Sequence, residues 1–378
     1  MAATVVKNVI FSSVLALGAL FLFVPAVSCN EKLLETCGIK TIYQLGDSTA
    51  DTGNLIRENP QAGCDRLPYG QYYFKKATGR CSNGLLIIDF MTISAGVPFL
   101  EAYLNPNPKT RFNGLNFAVS GATALPASIL AERNIPSPVT NSSLDKQLDW
   151  MFSYFNTTAC SNYTDCMRRL NNTLFVAGEI GGNDYTYALL LGGKDLEEAK
   201  ALVRDIVQAT KEAVRRVVGY GGRRIVVPGH SPIGCSPMYL TAFKANDSAA
   251  YDEFHCLKEY NNLASYHNQL LQEALEELRR EHPNVAIVYG DFYSAYMWIL
   301  QNAHSLGFDA TKVQKACCGI GGEYDFNVRK LCGSPGVPVC ANPFERISWD
   351  GIHFTHKAYE HIASWLIRDI LPKLQCSS

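Results

Sequence analysis

The chain has 378 residues, 47% of them hydrophobic, and a formal net charge of −1. That length allows one large core or two modest ones. The charge balance leaves no electrostatic footprint for nucleic acid, and no block of like charge marks an interaction tail.

The N-terminus reads as a targeting segment. Lys7 precedes the apolar run "VIFSSVLALGALFLFV", and Pro25-Ala26-Val27-Ser28-Cys29 supplies small residues for cleavage. The run is short for a membrane span, which favours a cleaved signal over an anchor. The expected division is a signal peptide over 1–29 and a single domain over 30–378, with no membrane association after cleavage. There are thirteen cysteines, and cleavage after Cys29 would leave an even number to pair in an oxidising compartment. Their spacing lacks the CxxC pairs and matching His of a zinc site. Local bridges such as Cys160–Cys166 are expected. Sequons at Asn141, Asn156, Asn162, Asn171 and Asn246 predict an exposed, N-glycosylated segment in a secreted protein.

Five short apolar runs follow in chain order: "TIYQLG" (41–46), "LNFAVS" (115–120), "TLFVAG" (173–178), "RIVVPG" (224–229) and "AIVYGD" (286–291). Each ends in Gly, Ser or Asp, and none alternates cleanly with polar residues. Parallel strands covered on both faces have this pattern. Helical spacing of apolar residues spans 197–218 and 257–281, the first stopped by Gly219 and the second by Pro283. A last helix is predicted from near Thr355 to Leu371. Strands alternating with helices predict an α/β fold with a five-stranded parallel sheet. The stretches 54–113, 122–172, 231–256 and 302–348 read as long loops around a pocket.

In such a sheet, chemistry gathers at the carboxyl ends of the strands. The first strand ends at Gly46-Asp47-Ser48, the second at Ser120-Gly121, and the third leads to Gly181-Gly182-Asn183-Asp184. Asp350 and His353 lie in "WDGIHFT" before the last helix. These residue types meet the needs of acyl transfer. Ser48 is a weak nucleophile until a base takes its proton, and His353 can be that base. Asp350 can accept the Nδ1 hydrogen and stabilise the imidazolium. The backbone N–H groups of Ser48 and Gly121, with the amide of Asn183, can form an oxyanion hole. Taken singly, Gly121 and Asn183 also read as turn residues, Asp47 as a brace, and His356 and His361 as structural. His230, after the fourth strand, is the competing base.

Together Gly46-Asp47-Ser48, Gly121, Gly182-Asn183-Asp184 and Asp350…His353 resemble the GDSL esterase/lipase family of the SGNH hydrolase superfamily. The blocks "DTGNLI", "GRCSNG", "LNFAVSGAT", "GEIGGNDY", "PIGC" and "CCGIGG" extend the resemblance along the chain. It implies a flavodoxin-like three-layer α/β/α sandwich, no metal, no diffusible cofactor, and catalytic roles for Ser48, Gly121, Asn183, His353 and Asp350. Thr49 departs from the Leu of the family name, and His230 stands where many members have Asn. Other blocks resemble the plant branch that removes an acetyl group from an indole alkaloid. The expected protein is therefore a monomeric, secreted serine esterase of the cell wall or vacuole. Its partner would be a small-molecule ester carrying a short acyl group. An acyltransferase on the same scaffold, or a lipase for longer chains, is the alternative.

Overall fold

A computed structural model describes residues 32–376. The expected signal segment and Cys29 lie outside the described residues. Five strands form one parallel sheet: β1 (Thr41–Leu45), β2 (Gly114–Asn116), β3 (Thr173–Ala177), β4 (Arg224–Pro228) and β5 (Ala286–Gly290). Their order is β2-β1-β3-β4-β5, the flavodoxin-like doubly wound arrangement.

Register explains why the strands lack polar alternation. Leu115, Tyr43, Phe175, Ile225 and Ile287 stand in one row across the sheet. This row faces the helices Leu144–Tyr154, Val203–Gly219 and Lys258–Glu281. Successive strand residues point to opposite faces. Ile42, Leu174, Val176, Val226 and Val288 therefore bury against the helices Ile87–Ala95 and His356–Ile370. The helix Phe292–Gln301 packs beside the latter. The result is a three-layer α/β/α sandwich with an apolar core on each side of the sheet.

Two readings of the sequence need correction. The stretches 54–113 and 122–172 are not all loop. Ile87–Ala95 is a helix buried nearly all round, so it shows no amphipathic stripe. Its Asp89 is buried against a fork of two bonds from Arg80, at 2.8 and 2.7 Å. Leu144–Tyr154 buries Leu144, Gln147, Leu148, Met151 and Tyr154 on one face, a helical period hidden between flanking sequons. The second strand is also shorter than 115–120. Beyond Asn116 the side chains of Asn116 and Asn54 take backbone bonds at Ala118. The amides of Phe117 and Val119 still donate to the carbonyls of Gln44 and Gly46 at 2.7 and 3.1 Å, so the segment continues beside β1 and the residue after it.

The twelve cysteines within the described residues form six disulfides: Cys37–Cys376, Cys64–Cys81, Cys160–Cys166, Cys235–Cys256, Cys317–Cys340 and Cys318–Cys332. Cys160–Cys166 is the local bridge expected. Cys37–Cys376, with a separation of 339 residues, is not local at all. Among the described residues no helix is long and apolar enough to cross a membrane.

Candidate active site

The chain leaves β1 for the edge strand β2 and returns to β3 on the other side of β1. The carboxyl ends of β1 and β3 therefore flank a topological switch point, where open α/β sheets place ligands. Ser48 sits there, in a turn closed by the amides of Ala50 and Asp51 donating to the Asp47 carbonyl. Asp47 Oδ1 accepts from the Thr49 amide at 2.9 Å and the Thr49 hydroxyl at 3.0 Å. Asp47 thus braces the turn, and the Thr49 hydroxyl ties down that brace. Below, Gln147 clamps Gly46 by accepting from its amide at 2.9 Å and donating to its carbonyl at 2.8 Å.

Asp350 and His353 arrive from the other end of the chain. The Trp349 amide donates to the His353 carbonyl at 2.7 Å, closing a tight loop. Thr355 then caps the last helix. Ser48 Oγ lies 2.8 Å from His353 Nε2, and His353 Nδ1 lies 2.7 Å from Asp350 Oδ2. Asp350 Oδ1 accepts from the amides of Ile352 and His353 at 2.9 and 2.8 Å. Both carboxyl oxygens are thus satisfied, although the residue is buried. Burial works to lift the Asp350 carboxyl, but His353 and the two amides hold it below the ordinary carboxylate range. Burial alone would push His353 down, yet the charges of Asp350 and Asp47 leave it above the usual imidazole value.

Gly121 has φ +81°, and a Cβ there would lie 2.4 Å from Val139 Cγ1. The position is therefore closed to other residues. The amides of Ser48 and Gly121 donate to no protein acceptor among the described residues. Asn183, in the first turn of the helix Gly182–Leu190, donates one Nδ2 hydrogen to the Ala122 carbonyl at 2.9 Å. Its second hydrogen has no such partner. Asp184 fastens the two segments together: its carboxylate accepts from the amides of Ala124 and Leu125 at 2.8 and 3.0 Å. Burial pushes its pKa up to about 7.

The site opens into a cleft of about 740 Å³, its mouth included. Thr186, Pro232, Ile233, Met238, Tyr239, Tyr296, Ile352 and Phe354 wall it beside Ser48, Asn183 and His353, and no Lys or Arg lines it. The stretches 54–113 and 122–172 supply none of the cleft-lining residues, although Ala122 and Val139 meet Asn183 and Gly121 from behind. Most of the wall comes from 231–239 and 348–354, joined by Thr186 and Tyr296, and the Cys235–Cys256 disulfide ties the first of these segments down.

His230, the competing base, does not meet Ser48. Its Nδ1 pairs with Glu179 Oε1 at 2.9 Å, and the residue is 1% exposed behind the cleft wall. His356 accepts from the Leu85 amide, and burial lowers its pKa to about 4. His361 is likewise lowered to about 4 by burial, packed near Trp298 and Phe308. His304 is exposed.

Sequence reasoning left several supporting residues without a role. Asp51 accepts from the amides of Gly53, Asn54, Leu55 and Ser120, and Asn54 donates to the carbonyls of Asn116 and Ala118. The block "DTGN" is therefore a bracket joining the ends of β1 and β2. Tyr69 donates to Asp350 Oδ2 at 2.9 Å, and its only signal was the turn-like "PYG". Among the described residues no cluster of three or more His, Cys, Asp or Glu could hold a metal ion.

The sequence profile of the family described as GDSL-like Lipase/Acylhydrolase matches residues 42–366. Acetylajmalan esterase 2 of Rauvolfia serpentina is 45% identical over 348 residues, 91% of this chain and 94% of that protein. A GDSL esterase/lipase of Arabidopsis thaliana is 38% identical over 364 residues, 96% and 98% of the two chains. A phospholipase A1 structure from Streptomyces albidoflavus NA297 aligns over 88% of this chain and 98% of its own, at 13% identity and a TM-score of 0.37. A profile match over most of the chain and relatives at this identity establish that the protein belongs to the GDSL-like lipase/acylhydrolase family and is a carboxylic ester hydrolase.

Proposed function

We propose that the protein is a secreted serine esterase that removes a short acyl group from a plant specialised metabolite through an acyl-Ser48 intermediate. The observation that carries the mechanism is the unbroken hydrogen-bond chain Ser48–His353–Asp350 at the floor of the cleft. In the first step Ser48 Oγ attacks the ester carbonyl while His353 Nε2 takes its proton, and Asp350 stabilises the imidazolium. The carbonyl oxygen becomes an oxyanion received by the amides of Ser48 and Gly121 and by Asn183 Nδ2. His353 returns the proton to the departing alcohol. Water, activated by the same His353, then releases the acid and regenerates Ser48.

The substrate assignment rests on the relative named acetylajmalan esterase 2 and on a cleft with an apolar wall and no cationic side chain. That lining suits a bulky, uncharged or cationic alcohol carrying acetyl better than an anionic ester. Secretion is supported by six disulfides, which persist in oxidising compartments. The exposed sequon residues Asn141, Asn156, Asn162, Asn171 and Asn246 support it too. Residues 1–29 would then be the signal and 30–378 one hydrolase domain.

Purified secreted protein should hydrolyse acetyl esters of bulky alcohols, acetylated alkaloids among them, faster than butyryl and octanoyl esters of the same alcohols. A tight acyl pocket discriminates by roughly 1–3 kcal/mol per misplaced methylene. A preference for octanoyl would replace this reading with a lipase. Acyl transfer to an added alcohol in preference to water would replace it with an acyltransferase.

A further inference from the structure

Asp350 Oδ2 receives two donors, His353 Nδ1 and the Tyr69 hydroxyl, the latter at 2.9 Å. Tyr69 lies 281 residues away in sequence and is buried, 5% exposed. It does not line the cleft, so it is not placed to touch substrate. It sits among Cys64, Cys81, Cys317, Cys318 and Cys332, which belong to three disulfides, with Trp349. The ring meets Trp349 edge-on at 6.3 Å between centroids. Trp349 is the residue before Asp350, and the Cys318 amide donates to its carbonyl. The disulfide-tied segments thus hold both the donor and the loop that carries its acceptor.

We propose that Tyr69 is a positioning residue for the esterase reaction, a fourth member of the chain that sets both the aim of Asp350 and its pull on His353. The proposal rests on the serine-esterase reading above. A carboxylate oxygen shared between two donors is a weaker partner for each. The hydroxyl therefore orients Asp350 and also tempers the field that favours protonated His353. Burial and the Asp350 charge keep the phenol neutral, so it acts as a donor at any working pH. The other titratable groups acting on this pair are Asp47, which also raises His353, and the buried Tyr359. Glu179 and His230 act on Asp47 from behind. None of these donates to the Asp350 carboxylate.

The test is Tyr69→Phe, which keeps the ring packed on Trp349 and removes only the hydroxyl. We expect kcat to fall about ten- to hundredfold with KM unchanged, as for a lost hydrogen bond to a charged group. We also expect the acid limb of kcat/KM to move up by about half a pH unit, because Asp350 freed of one donor stabilises the imidazolium more. In an Asp350→Asn background the same change should add nothing further. The pH dependence of Ser48 labelling by a phosphonate, read on the folded fraction alone, gives the limb independently of turnover. Unchanged kcat, a loss confined to KM, or a fall in rate with the limb unmoved would each overturn the proposal. Retained activity in Ser48→Ala would instead remove the reading on which it rests.

Discussion

Ser48 and His353 stand 305 residues apart in sequence and 2.8 Å apart in space. The sheet order brings the first of them to the switch point. The tight loop ahead of the last helix brings the second. On the proposed mechanism neither residue has a use without the other. Ser48→Ala and His353→Ala should each abolish nearly all turnover, and the double variant should be no worse than either, because groups acting as a unit do not add. The measurement is kcat on an acetyl ester for all three proteins. Near-normal hydrolysis by either single variant would refute the assignment. His230→Ala should be mild by comparison, since His230 pairs with Glu179 rather than with Ser48.

The pH profile should carry the mark of Asp47. His353 must be neutral to accept the serine proton, so activity is lost as pH falls through its pKa. That pKa is raised by Asp350 and by Asp47, which places the acid limb above the ordinary imidazole value of about 6.5. Asp47 is itself pushed up to about 7, by burial and by the charge of Glu179. Asp47→Asn keeps an oxygen for Thr49 but removes the charge, so the limb of kcat/KM should move to lower pH. A limb that stays fixed, or rises, would show that Asp47 serves only as a brace.

Sequence patterns located all five strand regions because parallel strands, buried on both faces, leave long apolar runs ending in small residues. They also singled out Ser48, Asp350 and His353, which the fold brings within hydrogen-bond reach of one another, because side chains of these types at element ends stand out in a sequence. Other features were not legible, for physical reasons that differ. The helix Ile87–Ala95 is buried almost all round, so it lacks the amphipathic period that identifies a surface helix. Gln147 and Asp51 act through single side chains on backbone groups distant in sequence, and no local pattern announces such a bond. Cys37–Cys376 depends on where the two chain ends meet, and disulfide connectivity does not follow from spacing. Tyr69 lies between a proline and a glycine, and no local pattern ties its hydroxyl to Asp350.

The Cys37–Cys376 bridge separates stability from catalysis. Cys37 precedes β1, and Arg224 at the start of β4 donates to the Leu374 carbonyl beside Cys376. The bridge therefore lies at the amino end of the sheet, opposite Ser48. Cys37→Ser with Cys376→Ser should lower stability by about 2–5 kcal/mol, as expected for a bridge closing so long a loop. The value of kcat/KM at moderate temperature should stay close to the parent's. Thermal melting alongside kinetics checks both halves. A large loss of kcat/KM in folded protein would mean that the two ends of the sheet are coupled.

Asn183 offers the sharpest test of the proposed oxyanion hole, because the contribution assigned to it is a side chain rather than a backbone amide. One Nδ2 hydrogen is committed to the Ala122 carbonyl. That bond fixes the amide plane and leaves the other hydrogen for the cleft, which Asn183 lines with Ser48. Asp184 reinforces the arrangement by tying the same helix to Ala124 and Leu125. On the proposed mechanism the donor is held in place before substrate arrives, which is the condition for it to favour the oxyanion over the ground-state carbonyl. Asn183→Ala should lower kcat by about 10²–10³, equivalent to ~2.7–4 kcal/mol, the range for losing one such donor. KM should change little, since the interaction develops with the negative charge. Asn183→Asp is nearly isosteric but replaces the free donor with an acceptor. It should be at least as damaging, because a carboxylate there repels the oxyanion. A rise in KM with kcat preserved in the alanine variant would make Asn183 a substrate-holding residue and leave the oxyanion to the amides of Ser48 and Gly121 alone.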